Sequence, residues 1–375
     1  LSRHVEIAGG GIAGLTIATL FAREGWTATV HERQDAIREV GSGLVVHQSS
    51  AVVFEEIGAL EEIAAGATRF RTSALGDEQG RILWKKTLGE ESRTYNPLRT
   101  SVINAVHKAA VGAGVEIRTD SMALSAVPAG VLRTSAREER PADLVIAADG
   151  LHSAVRDSLP ITVEKKMLNA GCTRTVIPRG DFDRHDGFLE LWSGSLRLGI
   201  CPTSPTQSYI YYAAREDDER GSAVPVDVDY WAANFPGLPQ EFLDRLPQGD
   251  AIRHAYSLVR LDRWSAGKVA VIGDACHTLP PTLGQGVGLA VGNARALVHD
   301  VAHADDVPAA LARWERRIRP VIDTTQDWSM RYELLSSRWP RFGQGLRKKV
   351  LQASRHPRIQ RGMTAADRAA KQWAA

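Results

Sequence analysis

The chain has 375 residues, 43% of them hydrophobic, a formal net charge of +2 and three cysteines. That length holds two domains or one large one, and the near-neutral balance gives no electrostatic footing for nucleic acid or an acidic membrane surface. Cys172, Cys201 and Cys276 are too few and too scattered for a disulfide framework or a metal site.

A reducing cytoplasm is therefore expected. No apolar run approaches the roughly 18 residues of a membrane span, and the start shows no signal-peptide pattern. Leu1 in place of Met suggests a trimmed start.

The first stretch, "HVEIAGGGIAGLTIATLFAREGWTATVHER", reads as a buried strand, a glycine turn, a helix and a second strand. Gly9, Gly11 and Gly14 fit G-x-G-x-x-G. The first glycine serves the tight turn, the second the approach of a pyrophosphate, and the third close packing of helix on strand. Glu32 ends the second strand 18 residues after Gly14, near the roughly 20 expected of a ribose-binding acid. A carboxylate there repels a 2′-phosphate, so the dinucleotide is NAD or FAD and not NADP. Arg33 follows it and joins the candidate contacts.

Next comes Arg99 in "PLRTSVINAV", read either as a phosphate contact or as a solvated arginine at a helix start. In "ADLVIAADGLHSAVRDSL" an apolar strand ends at Asp149-Gly150, before a helix carrying Arg156. A carboxylate at a strand end suits a nucleotide contact or a capped turn. In "GKVAVIGDACHTLPPTLGQGVGLAVGNARALVHDV" a strand leads to Gly273-Asp274, a proline loop through Pro281, and a helix starting near Gly286-Val287. Asp274 can accept from a ribityl or ribose hydroxyl, and the helix aims its positive end at whatever the loop encloses. An anionic reduced flavin ring would be stabilised there.

Together the three stretches resemble the FAD-dependent aromatic-ring monooxygenases of the p-hydroxybenzoate hydroxylase type. Within that superfamily "IAGGGIAGLT", "RGSAVPVDVDYW" and "WERRIRPVIDTTQ" are similar to the bacterial oxygenases of 3-hydroxypyridine carboxylates. The chain departs from them in Val45 and Thr72, where aromatic residues are expected, and Asn293 stands where many superfamily members carry Asp.

The resemblance implies FAD as cofactor, NADH or NADPH as a transient co-substrate, and no metal. It also implies O2 transfer through a flavin C4a-hydroperoxide to a hydroxylated aromatic or pyridine carboxylate, with or without ring opening. Salicylate-type or 6-hydroxynicotinate-type hydroxylation without ring opening is the alternative, followed by a flavin-binding protein without oxygenase activity. Arg99 falls where the family reaches the flavin phosphates or ribityl chain, and Pro281 lies at the catalytic loop.

The expected fold is α/β. A Rossmann-like FAD-binding domain spans 1–70, 96–160 and 257–303, an antiparallel-sheet substrate domain 71–95 and 161–256, and a helical region 304–375.

Between the second and third motifs "GFLELWSG", "SLRLGICPT" and "SYIYYAAR" read as short strands of a sheet that, in the family, roofs the flavin ring. Alternation sets Arg197, Gly199 and Cys201 on one face, and Tyr209 and Tyr211 on one face of the next strand. Arg197 is expected to grip a substrate carboxylate, with Tyr209 assisting; the other reading is a solvated arginine. Tyr211 is a further candidate contact, although sheet packing also accounts for it. His277 is expected to be structural, held by local backbone, and Cys276 to pack as a small apolar group.

From about Ala302 the chain reads as amphipathic helix carrying Trp314, Trp328 and Trp339. These helices would cover the flavin domain or build a homodimer contact.

Overall fold

The computed structural model describes residues 2–38, 42–338, 357–369 and 373. Trp339 lies outside them. Two sheets organise the described residues. The first runs, in spatial order, Ser265–Ala266, Val269–Val271, Leu144–Ala147, His4–Ala8, Thr27–His31 and Glu116–Arg118, all parallel except the first pair. Leu144–Ala147 and Val269–Val271 are buried throughout, as expected of parallel strands covered on both faces. Helix Ile12–Arg23 packs beside helices Arg99–Gly112 and Gly286–Val301. Leu15, Ile17, Phe21, Leu289, Val291 and Leu297 are buried in one continuous core with the strands.

One charged residue interrupts that core. Glu6, 1% exposed, accepts hydrogen bonds from His31 Nε2 at 2.7 Å, Arg140 Nε at 3.0 Å and His4 Nε2 at 3.1 Å. Burial pushes its pKa up, but these partners outweigh burial and bring it to about 2, against an ordinary value of 4.5. Between those values the unfolded chain binds the extra proton. Glu6 thus contributes stability that is complete above about pH 5 and is lost as pH falls toward 2. The contribution is on the order of 3 kcal/mol. Thermal unfolding should show Glu6→Gln less stable than wild type at pH 7, with the gap narrowing by pH 3; a gap that stays constant over that range overturns the assignment.

The second sheet has the order Ile252–Leu261, Val163–Pro178, Gln207–Ala214, Leu196–Pro202, Gly187–Ser193, Thr72–Asp77 and Ile82–Thr87. Every pair is antiparallel except Gly187–Ser193 with Thr72–Asp77. One face carries Leu191, Leu198, Ile200, Ile210 and Tyr212. It is covered by Trp231 and Phe242 of the short helices Val228–Asn234 and Gln240–Leu243, and by Phe235 at the end of the first. Each such side chain contributes about 1.5–3 kcal/mol on burial, so this face is committed to holding the sheet together.

Helix Val307–Ser337 runs alongside both units. Trp314 is fully buried and Trp328 half-buried. Ser329 accepts from Thr282 and donates to the Pro280 carbonyl. One turn further on, Glu333 meets Arg197 of the second sheet. The helix therefore ties the proline loop of the third motif to the sheet above it.

Candidate active site

The three glycine-bearing motifs converge. Gly9 has φ of +100°, in the left-handed region, and a methyl group on it would stand 2.5 Å from the Ala148 oxygen, directly beside Asp149. A methyl on Gly14 would come 2.0 Å from the Gly9 oxygen. On the third motif, a methyl on Gly273 would lie 3.1 Å from Ala13 Cβ. Arg156, 1% exposed, donates from Nη1 to the Ala275 carbonyl at 3.0 Å and bridges the second and third motifs.

Open space meets these packed turns. Around Gly11 and Gly286 nothing lies within 4 Å of where a side chain would begin. No side chain caps helix Ile12–Arg23 or helix Gly286–Val301, and neither has an acid in its first turn. Both therefore present free N–H groups and positive dipole ends. Glu32 Oε2 accepts from the Gly10 N–H at 2.9 Å and Oε1 from the Gln34 N–H at 3.0 Å, which fixes the carboxylate at the end of its strand. Arg33 is exposed. These cradles fit the phosphates of a dinucleotide at Gly11 and an electron-rich ring at Gly286.

Asp149 accepts from the Ser153 hydroxyl and, at 3.3 Å, from the Val155 N–H, the capped turn that the sequence left open. Burial raises its pKa, and the Ser153 bond opposes the rise. Asp274 is exposed at the start of helix Asp274–His277, while Pro281 is exposed in the loop beyond. Gly286 and Val287 are half-buried at the start of their helix. Arg99 opens helix Arg99–Gly112, with its backbone N–H bonded to the Ser42 carbonyl at 2.7 Å.

His277 is fully enclosed, and burial lowers its pKa to about 4, so it is a neutral ring. Beside the local backbone bond expected from sequence, the ring has a side-chain partner. Nε2 lies 3.1 Å from Asn293 Nδ2, and Asn293 Oδ1 accepts from Trp314 Nε1 at 2.8 Å. An amide can accept from Trp314 and donate to a neutral imidazole at once; a carboxylate here could only accept.

The other face of the second sheet carries Arg197, Gly199 and Cys201 opposite Ala213, Tyr211 and Tyr209. Arg174 lies opposite Tyr211 on the next strand. The environment of Arg197 corrects its expected role. Its Nη2 lies 2.6 Å from Glu333 Oε2, its Nη1 3.8 Å from Glu190 Oε2, and it is only 2% exposed. Burial alone would lower its pKa, but Glu333 and Glu190 more than reverse this and the guanidinium is raised. It is therefore neither solvated nor open to a substrate carboxylate.

Glu190 also receives Trp192 Nε1, the Tyr211 hydroxyl and, at 3.1 Å, the Tyr332 hydroxyl. Tyr211 is accordingly part of a buried polar cluster. Burial pushes the hydroxyls of Tyr209 and Tyr211 well up, so both stay neutral at physiological pH.

Tyr209 is 9% exposed and packs with Phe70 and Cys201, flanked by Val45, Leu88, Phe188 and Tyr211. A side chain on Gly43 would strike its ring at 2.5 Å. Phe70 and Phe188 thus bring aromatic surface beside Val45, whereas Thr72 pairs with Gly187 on the opposite face of the sheet. Sequence reasoning missed them, along with Glu190, Glu333, Tyr332 and Arg174. Glu190 did carry a signal, being an acid between Phe188 and Trp192 in an otherwise apolar strand.

A family model described as an FAD binding domain matches residues 3–329. The chain belongs to this FAD-binding family. This family member is 38% identical over 352 residues to a 2-heptyl-3-hydroxy-4(1H)-quinolone synthase of Mycobacteroides abscessus, covering 90% of this chain and 91% of that one. A probable synthase of the same kind from Rhodococcus erythropolis is 35% identical over 342 residues, covering 89% and 88%. Among solved structures, the tetrameric form of 2-methyl-3-hydroxypyridine-5-carboxylic acid oxygenase superposes with a TM-score of 0.83 at 32% identity, covering 90% of this chain and 93% of that one. The chain is an FAD-dependent, NAD(P)H-using aromatic-ring monooxygenase. No described helix is long and apolar enough to cross a membrane.

Proposed function

We propose that this monooxygenase hydroxylates carbon 3 of a 2-alkyl-4(1H)-quinolone. The observation that carries this reading is the chemistry of the Arg197 face of the second sheet. The buried guanidinium of Arg197 is matched by Glu333 and Glu190, and the surface beside it is apolar: Phe70, Phe188, Val45, Leu88, Cys201 and the Tyr209 ring. A neutral bicyclic ring with an alkyl chain suits such a surface, whereas a carboxylate there would be a costly buried charge. The two quinolone synthases above support the same substrate class.

Bound FAD would supply the hydride-accepting and oxygen-activating chemistry. Gly9, Gly11 and Gly14 hold its pyrophosphate, Glu32 its adenosine ribose, and Asp274 and Arg99 the middle of the molecule. The start of helix Gly286–Val301, with Val287, carries the ring. Asp149 serves this site indirectly, by fixing the turn beside Gly9. Pro281, on the loop before helix Gly286–Val301, would border the reacting ring, and Tyr209 with Phe70 and Phe188 would keep water from the substrate.

A second reading, oxygenation of a hydroxypyridine carboxylate with ring opening, is favoured by Arg174. It lies on the same face with no carboxylate within 4.0 Å among the described residues. Incubation with NADH or NADPH and air decides between the two. A product of 2-heptyl-4(1H)-quinolone carrying one added oxygen is expected, with 2-methyl-3-hydroxypyridine-5-carboxylate unchanged. The opposite pattern, with a ring-opened pyridine product, overturns the quinolone reading.

A further inference from the structure

Gly284, Gly288 and Gly292 recur every four residues along the turn and helix assigned above to the cofactor ring, and each meets a side chain from another element. A methyl on Gly284 would lie 3.2 Å from His47 Nε2, one on Gly288 2.8 Å from Ser49 Oγ, and one on Gly292 would strike the Trp373 ring at 1.2 Å. Trp373 is 1% exposed and shares a core with Leu289 and Val291. Glycine weakens a helix relative to alanine, and helix Gly286–Val301 carries three in its first seven residues. Its start is therefore held by neighbours more than by its own sequence. Two of those neighbours are pinned by one carboxylate. Asp367, on helix Ala365–Ala369, accepts from Ser49 Oγ at 2.8 Å and lies 3.4 Å from the Ser49 nitrogen and 3.9 Å from His47 Nδ1. His47 and Ser49 belong to the start of helix Gln48–Glu56, which has no acid in its first turn and no cap from the His47 side chain. The Asp367 carboxylate supplies the negative charge that this helix end favours.

We propose that helix Ala365–Ala369 and Trp373 clamp the cofactor site, with Asp367 as the positioning residue. Through Ser49 and His47 it sets the Gly284 turn and the first turn of helix Gly286–Val301, so that the free N–H groups there are preset for the flavin ring. This rests on the assignment of that helix start to the ring and is independent of the substrate. Asp367 acts without touching the flavin. When its carboxylate is lost, Ser49 and His47 no longer brace the glycine positions, and FAD must order the helix start as it binds, at a cost in affinity. Trp373 holds the next turn of the same helix face through the notch at Gly292.

The test follows release of FAD from the full-length holoenzyme on dilution, read by the rise in flavin fluorescence, beside thermal melting. Asp367→Ala should weaken FAD binding on the order of tenfold, within the worth of a hydrogen bond to a charged group. Asp367→Asn keeps an acceptor for Ser49 and should restore most of the affinity. A contact that served the fold alone would lower melting in Asp367→Ala and leave FAD release unchanged, and that result overturns the proposal. Gly286→Asp tests the underlying assignment, because it sets an acid at the helix start where nothing lies within 4 Å of the missing side chain; it should shed FAD as well. FAD shed by Gly286→Asp but held by Asp367→Ala overturns the clamp alone, and FAD held by both overturns the placement of the ring with it. The Asp367 side chain is 26% exposed, so its substitution leaves the core intact. Should Asp367→Ala still fail to fold, Ser49→Ala removes the same hydrogen bond and takes its place in the test.

Discussion

Gly14→Ala should yield a protein that does not retain FAD through purification. The added methyl would stand 2.0 Å from the Gly9 oxygen, a distance that forces strand and helix apart. Gly9 cannot yield, because its φ of +100° and its contact with Ala148 fix it from the other side. Overpacking of this kind costs about 1–3 kcal/mol, and here it falls on the turn that shapes the pyrophosphate cradle. Ala favours the helix over Gly by roughly 1 kcal/mol, so loss of flavin could not be ascribed to a weaker helix. Gly112→Ala is the control, since nothing lies within 4 Å of its missing side chain. Flavin absorbance per chain and fluorescence titration with FAD measure the effect. An affinity drop of one to two decades is expected for Gly14→Ala and none for Gly112→Ala; full occupancy in Gly14→Ala would show that the turn does not act as a phosphate cradle.

Arg197→Met should lower stability before any substrate is added. Removing the guanidinium leaves Glu333 and Glu190 facing each other across a buried site, and breaking such a set costs about 3–5 kcal/mol. The melting temperature should fall by several degrees in the substrate-free holoenzyme. Adding Glu333→Gln to Arg197→Met removes one of the stranded charges and should recover part of the loss, a coupling of roughly 0.5–3 kcal/mol. An arginine that served only a substrate carboxylate would behave differently: stability would be unchanged and substrate affinity alone would drop. Unchanged melting in Arg197→Met, with no coupling to Glu333→Gln, would return the residue to that role.

The contrast between these two residues marks how far the sequence reaches. Gly9, Gly11, Gly14 and Glu32 occur within one strand-turn-helix-strand unit, so their roles follow from local geometry: a left-handed φ, a close approach, an uncapped helix end. Asp274 and Gly286 are legible for the same reason. The alternation that groups Arg197 with Gly199 and Cys201, and Tyr209 with Tyr211, is also local, since it follows from the pleat of a strand; that the two groups share a face is set by the register between the strands.

What Arg197 meets is not local. Glu333 lies 136 residues away, on a helix whose amphipathic pattern shows only that one side is buried, not which strand that side will cover. The same limit applies to Asn293, whose choice over Asp becomes clear only where Trp314 and His277 reach it from separate elements. Apolar Phe70 and Phe188 look in sequence like any other buried residues, and only the packing of a loop and a distant strand on Tyr209 brings them together. The sequence by itself determined the glycine turns and the uncapped helix ends, because these are built from groups adjacent in the chain. The tertiary structure alone decided the charge balance and shape of the substrate face, because a buried charge or ring takes its meaning from whichever element packs against it.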